Sequence, residues 1–284
     1  MRVLVATTAG LGHVLPVLPL ATALREAGHD VRWAAGPGFE DHVAAAGLAV
    51  DVAGMGVAER QAEFSRRYPD VQSLPVPARR PVMYAGLFAE LAAPRMLADL
   101  RAIADAVRPD LLLHDAAELA SPIVAAERGV PIACHGFGEV VHPDSVVRAS
   151  EVVAPLWEAA GLAPRPYAGT YDGLYVDPYP PSLRALPVGH VERRQQIRPA
   201  DGVPADGDLV YVTFGTVFNR VDDAVRAAVL GTADVAADVL VTVGPDGDPA
   251  GLGDLPGHVR VERFVPQREV LPRCALVVSH AGSG

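Results

Sequence analysis

Two constellations in this 284-residue chain carry residue types that chemistry can use. The first is Thr7–Pro16, TTAGLGHVLP, where Gly10 and Gly12 bring His13 to a helix start directly after an apolar run. An imidazole set out by a tight glycine turn can accept a proton near neutral pH, and it can equally be a solvated cap residue. Its candidate partner is Asp115, far downstream in PDLLLHDAAELA; a carboxylate beside an imidazole fixes its tautomer and stabilises its protonated form. Asp115 can instead simply cap the next helix, and His114 and Glu118 stand as alternative partners. The second constellation is made of small residues: Phe214-Gly215-Thr216, and Ser279-His280-Ala281-Gly282-Ser283-Gly284. Such residues free backbone N–H groups at a helix start, whose partial positive charge attracts a diphosphate without any lysine. His280 adds a hydrogen bond or a charge there, or is structural.

Composition removes several other chemistries. All 24 basic residues are arginine, which excludes a P-loop lysine, a Schiff-base lysine and a lysine general base. The formal charge of −10, with arginines scattered singly or in pairs, disfavours nucleic acid as a partner. Gly10-Leu11-Gly12 lacks the third glycine of a dinucleotide fingerprint, where Leu15 stands, and Trp33-Ala34-Ala35 ends the second strand without an acid for a ribose. Cys134 and Cys274 have no CxxC or histidine-rich neighbours and read as buried reduced thiols. The triplets Asp206–Asp208 and Asp246–Asp248 lie among Gly and Pro and read as turns, so no metal is expected. No apolar run is long enough to span a membrane and the N-terminus is no signal peptide, so a cytoplasmic protein without stable membrane insertion is expected.

The elements that must position these residues follow from periodicity. Arg2–Thr7 is a strand, and Val14, Val17, Leu18, Ala21 and Leu24 recur at helical spacing until Gly28. Strands at Asp30–Ala35, Leu48–Val52, Asp110–His114 and Pro131–His135 alternate with helices near Phe39–Ala46, up to Arg108, and over Ser121–Arg128. This predicts an α/β fold with a doubly wound parallel sheet, in which the loops after the first and fourth strands face one crevice and bring His13 and Asp115 together. Between Ala53 and Arg80 the pattern dissolves into Pro, Gly and charge, a connection long enough to be functional. Residues 1–177 form the first domain, 178–207 read as a linker, and 208–284 begin a second Rossmann-like domain. Its strands are expected at Leu209–Phe214, Asp238–Val243, His258–Glu262 and Ala275–Ser279, with a helix over Val221–Leu230. This second domain is expected to be incomplete, with an exposed sheet edge that predicts a homodimer or pairing with a missing C-terminal fragment.

GLGHVLPVLPLATALREAGHDV, PDLLLHD, VTFGT and above all VRVERFVPQREVLPRCALVVSHAGSG resemble the family 1 nucleotide-sugar-dependent glycosyltransferases of the GT-B fold. The likeness is nearest to the actinomycete enzymes that attach deoxysugars to antibiotic aglycones. It implies an inverting, metal-independent transferase moving a sugar from a dTDP- or UDP-linked co-substrate, with no other cofactor, to a hydroxyl of a hydrophobic natural product. By the same likeness the first domain binds the acceptor, His13 deprotonates it and Asp115 orients His13. Phe264 lies against the nucleobase, where the family often has Trp, and Val265 meets the base edge. Gln267 sits near the ribose, and Gly215, Thr216, His280, Gly282, Ser283 and Gly284 surround the diphosphate.

For the acceptor, Gly12, Phe64, Tyr68, Met83, Tyr84, Phe88 and Phe137 are candidates to line an apolar cleft over His13, each with ordinary core packing as its alternative. An apolar aglycone is favoured over a peptide or polysaccharide. Two competing readings stand beside the transferase: a GT-B enzyme acting on a lipid-linked precursor, and a truncated or degenerate chain that binds an acceptor or a partner enzyme without catalysis.

Overall fold

The computed structural model describes residues 1–198, 207–215, 222–233, 238–244 and 247–279. The chain divides into two units, Met1–Arg198 and Pro199–Gly284. The first holds a seven-stranded, wholly parallel sheet: β1 (Arg2–Thr7), β2 (Asp30–Ala35), β3 (Ala49–Val52), β4 (Leu111–Asp115), β5 (Ile132–His135), β6 (Leu174–Asp177) and β7 (Arg194–Gln196). Their order is β3-β2-β1-β4-β5-β6-β7, so the direction of winding reverses between β1 and β4. Alternation along the strands sends successive side chains to opposite faces. Val3, Val5, Trp33 and Leu113 pack with Val14, Val17 and Ala21 of α1 (Leu11–Glu26) and Val43 of α2 (Glu40–Ala45). Leu4, Ala6, Leu112, Cys134 and Tyr175 pack on the other face. There they meet α5 (Ala93–Val107), α6 (Ser121–Arg128) and α7 (Pro143–Ala159). The indole N–H of Trp33 donates to Thr7 Oγ1 at 2.9 Å, so this fully buried ring leaves no polar atom unpaired.

Two segments differ from the expectation. Within 53–80, expected to be irregular, the chain forms α3 (Val57–Arg67) and enters α4 (Val76–Tyr84). The inward stripe of α3 is Arg60 and Phe64, a charged residue standing where an apolar period would need an aliphatic one. After α4 the chain continues through a π-helical segment, Ala85–Ala92, a widened winding that is frequent at functional sites. Residues 178–198, expected as linker, instead belong to the first unit. They are tied down by Val191 in the main core, with Leu186 and Val188 packed against it, and by polar anchors that leave no regular hydrophobic period to read. The carboxylate of Asp177, fully buried, accepts from Arg184 at 2.6 Å and Arg194 at 3.2 Å, and Glu139 Oε1 accepts the N–H groups of Ala185 and Leu186.

The second unit repeats the winding on a smaller scale. Its parallel sheet runs β10-β9-β8-β11, from β8 (Leu209–Thr213), β9 (Val239–Thr242), β10 (Val259–Glu262) and β11 (Cys274–Ser279), with α8 (Asp222–Ala233) and the short α9 (Gln267–Val270). The order reverses between β8 and β11. β11 is an edge strand with Leu276 and Val277 exposed. Among the described residues no helix is long and apolar enough to cross a membrane. Both cysteines are buried and free.

Candidate functional site

At the reversal between β1 and β4, His13 and Asp115 meet. Gly10 caps α1 with φ 148°, and its carbonyl accepts the N–H groups of His13 and Val14. A Cβ at Gly10 would stand 2.9 Å from His13 Cδ2, so glycine is what lets the ring lie back over the turn. Pro16 and Pro19, inside α1, withhold the N–H groups that would bond the carbonyls of Gly12 and Leu15.

His13 Nδ1 lies 3.0 Å from Asp115 Oδ1. Asp115 is fully buried and its carboxylate accepts two further bonds, from Thr8 N–H to Oδ2 at 2.9 Å and from Ala117 N–H to Oδ1 at 2.8 Å. Since the carboxylate is an acceptor, the proton of neutral His13 sits on Nδ1 and Nε2 carries the lone pair. The His13 side chain keeps 15% of its exposure and is flanked edge-on by Phe137 at 4.7 Å and Phe88 at 5.5 Å between ring centroids.

The alternative partners are occupied otherwise. His114 is buried with Nδ1 2.8 Å from the Glu118 carbonyl oxygen, and burial lowers its pKa. The Glu118 carboxyl accepts the N–H groups of Ala120 and Ser121 at the start of α6, and burial pushes it up to about 7. A small pocket of about 10 Å³, room for roughly one water molecule, lies near the dyad, lined by Thr8, Ala9, Met55, Phe88, Met96, Glu118 and others. It is mostly apolar, with Glu118 as its ionisable side chain.

The remaining acceptor candidates are spread out. Gly12 precedes His13 in α1. Phe64 is a core residue stacked on Tyr68 at 4.9 Å in a cluster with Met55, Val71 and Leu91, against which Met83 also packs. Tyr84 is buried in the main core, its hydroxyl donating to the Ala116 carbonyl at 2.7 Å. A residue the sequence pattern missed is Arg60, which is buried and bonded to Thr8 and Ala9 in the loop before α1 and His13. Its only signal was a helical spacing to Phe64.

In the second unit Gly215 follows β8 with φ 75°, and its N–H donates to Thr213 Oγ1 at 3.3 Å. Thr213 belongs to a buried hydroxyl chain, with Tyr211, Thr242 and Thr213 linked at 2.9 Å each. Phe264 is 54% exposed, Val265 packs against the core near Val270, and Gln267 opens α9 half-buried. Thr216, His280, Gly282, Ser283 and Gly284 lie outside the described residues, as do Asp206 and Asp246 of the DxD triplets. Asp248 caps a short turn by accepting the Ala250 N–H at 3.1 Å.

Residues 22–192 match the family described as Erythromycin biosynthesis protein CIII-like, N-terminal domain. The elloramycin glycosyltransferase of Streptomyces olivaceus is 34% identical over all of this chain and 76% of its own length. The chain belongs to the erythromycin biosynthesis protein CIII-like glycosyltransferases. The glycosyltransferase SnogD of Streptomyces nogalater superposes with a TM-score of 0.73 at 27% identity, over the whole chain and 77% of that structure. The glycosyltransferase VinC, solved in complex with dTDP, gives a TM-score of 0.73 at 26% identity and the same coverage. The fold of this glycosyltransferase is thus GT-B, its two parallel sheets corresponding to the two Rossmann-like domains. The His13–Asp115 pair stands at the winding reversal of the first.

Proposed function

We propose that this glycosyltransferase transfers a deoxysugar, with inversion and without a metal ion, from a dTDP- or UDP-sugar to a hydroxyl of a hydrophobic natural-product aglycone. The observation that carries this reading is the 3.0 Å contact of His13 Nδ1 with buried Asp115, which leaves Nε2 as an acceptor between two aromatic rings. The acceptor O–H gives its proton to Nε2 as its oxygen bonds the anomeric carbon. The anomeric carbon–oxygen bond to the diphosphate breaks from the opposite side, and the nucleoside diphosphate departs with the electron pair. His13 gains positive charge in that step, and the Asp115 carboxylate, held by two backbone N–H groups, stabilises it without turning. The apolar rings of Phe88 and Phe137 that flank His13 take the aglycone. The glycine turn after β8, with Phe264, Val265, Gln267 and the His280–Gly284 stretch, takes the nucleotide; VinC was solved with dTDP, which supports a thymidine nucleotide.

The test is product formation from a dTDP-deoxysugar and a polycyclic aglycone, with the anomeric configuration read by NMR and the rate compared with and without a chelator. A product retaining the donor's configuration, or a rate abolished by chelation, overturns the reading.

A further inference from the structure

Arg60 is 6% exposed and reaches out of α3 to the β1–α1 loop. Its Nη1 donates to Thr8 Oγ1 at 2.5 Å and its Nη2 to the Ala9 carbonyl at 2.9 Å, while its guanidinium carbon stands 5.1 Å from the centroid of the Phe88 ring. It forms no ion pair within contact distance among the described residues. Burial lowers its pKa and attraction to Asp115 opposes that. A buried cation paired only with neutral oxygens is costly, and an aliphatic side chain beside Phe64 would serve the packing of α3 without that cost. A forked donor, by contrast, can hold two successive residues of a loop in one orientation.

Those two residues matter because of what they touch. Thr8 donates its N–H to Asp115 Oδ2, while Oδ1 is the oxygen facing His13. The same guanidinium lies on Phe88, whose ring flanks His13. Two short chains of contact therefore run from Arg60 to the imidazole, one through Thr8 and Asp115 and one through Phe88. We propose that Arg60 is a positioning residue of the His13–Asp115 pair: its fork fixes the Thr8–Ala9 loop, whose Thr8 N–H holds Asp115 Oδ2 while Ala117 N–H holds Oδ1, and so contributes to keeping the carboxylate against Nδ1 and the His13 proton there. The catalytic consequence rests on the function proposed above; the structural one does not.

The experiment uses the full chain with 15N-labelled histidine and two-bond 1H–15N correlation spectra, at a pH well above the ordinary imidazole value of about 6.5. The parent protein should show His13 as a single tautomer with the lone pair on Nε2. Arg60→Met should convert this to a mixture of tautomers. Arg60→Lys keeps the charge but cannot span both oxygens, and should give an intermediate mixture. Thr8→Val removes one acceptor of the fork and should shift the pattern in the same direction. If Arg60→Met fails to fold, Arg60→Lys decides: a folded lysine variant with an unchanged His13 pattern overturns the proposal, as does an unchanged pattern in folded Arg60→Met. In turnover, Arg60→Lys should lower kcat about tenfold or more with the nucleotide Kd unchanged, because misorientation of a base costs rate more than binding. A scrambled tautomer in Arg60→Met together with full turnover in His13→Ala would mean that the positioning holds and His13 is not the base, so the two failures are separable.

Discussion

The two units wind in the same way and fill their reversals differently. In the first, the buried polar side chains include Arg60, His114, Asp115, Glu118 and His135, groups that carry or exchange charge. In the second, the buried polar side chains among the described residues are Thr213, Thr232 and Thr242, with the Tyr211 hydroxyl linked to Thr242. Both reversals lie beyond the carboxyl ends of parallel strands, where ligands of such sheets bind. Charge buried near β1 and β4 is expensive to keep and useful where charge develops during a reaction. Hydroxyls and a glycine turn near β8 are inexpensive and suit the holding of a ligand that already carries its charge. The difference predicts that changes at the first reversal act on rate and changes at the second act on nucleotide affinity.

The sharpest way to break that division is at His13. His13→Ala should lower kcat by about 10²- to 10⁴-fold, the range of a lost general base, with the Kd for dTDP unchanged by calorimetry. Asp115→Asn should follow closely, since its amide presents a donor as well as an acceptor to Nδ1 and favours the wrong tautomer. A weakened nucleotide Kd in either variant, with kcat intact, would move the first reversal from chemistry to binding.

Glu118 tests whether the charge burial of the first unit extends beyond the dyad. Burial holds its carboxyl at about 7 against 4.5 for the free group, so the folded protein keeps a proton that the unfolded chain releases. Its contribution is full below the unfolded value and is lost as pH rises to about 7, some 3 kcal/mol in all at about 1.4 kcal/mol per pH unit. The stability of the parent relative to Glu118→Gln, from urea midpoints, should therefore decline across that window. A flat difference would make Glu118 an ordinary cap of α6.

How much of this could be read from the residues depends on which force holds each piece. Strands such as Arg2–Thr7 and Leu209–Thr213 bury alternating or continuous apolar runs, and their periods are legible. The meeting of His13 and Asp115 was legible because strand order alone dictates which loops converge. Arg60 was not, since a charged residue on the inward stripe of α3 carries no apolar sign of its own burial. Nor was the docking of residues 178–198, where Val191 enters the core without a regular period and Asp177 meets Arg184 and Arg194 while Glu139 meets two backbone N–H groups. Pairings between polar groups distant in sequence leave no local pattern. The aromatics divide likewise: Phe88 and Phe137 reach His13 while Phe64 is stacked in the core, and residue type alone does not separate them.

A smaller effect is expected at Gly10. Alanine there must hold a φ of 148° that side chains rarely adopt and place its Cβ 2.9 Å from the His13 ring. The strain is about 1–3 kcal/mol, and the ring must move. We expect about a tenfold loss of kcat and a lowered Tm, with the nucleotide Kd again unaffected, since the disturbance stays at the first reversal. Equal turnover in Gly10→Ala would show that the imidazole tolerates displacement and that its orientation is not what limits the rate.

The smallest effect, at the second reversal, is the complement that completes the comparison. Phe264 is 54% exposed, so its removal deletes little packing and should leave Tm nearly unchanged. If its ring lies against the nucleobase, Phe264→Ala should raise the Kd for dTDP by about threefold to tenfold, the equivalent of roughly 0.5–1.5 kcal/mol of aromatic contact. Phe264→Trp should lower it, because a larger ring adds stacking area. At saturating donor, kcat should stay near the parent value in both variants, the mirror image of His13→Ala. A loss of kcat at saturation in Phe264→Ala would show that the second reversal shapes the transition state as well as the ground state, and the assignment of rate to one sheet and affinity to the other would fail.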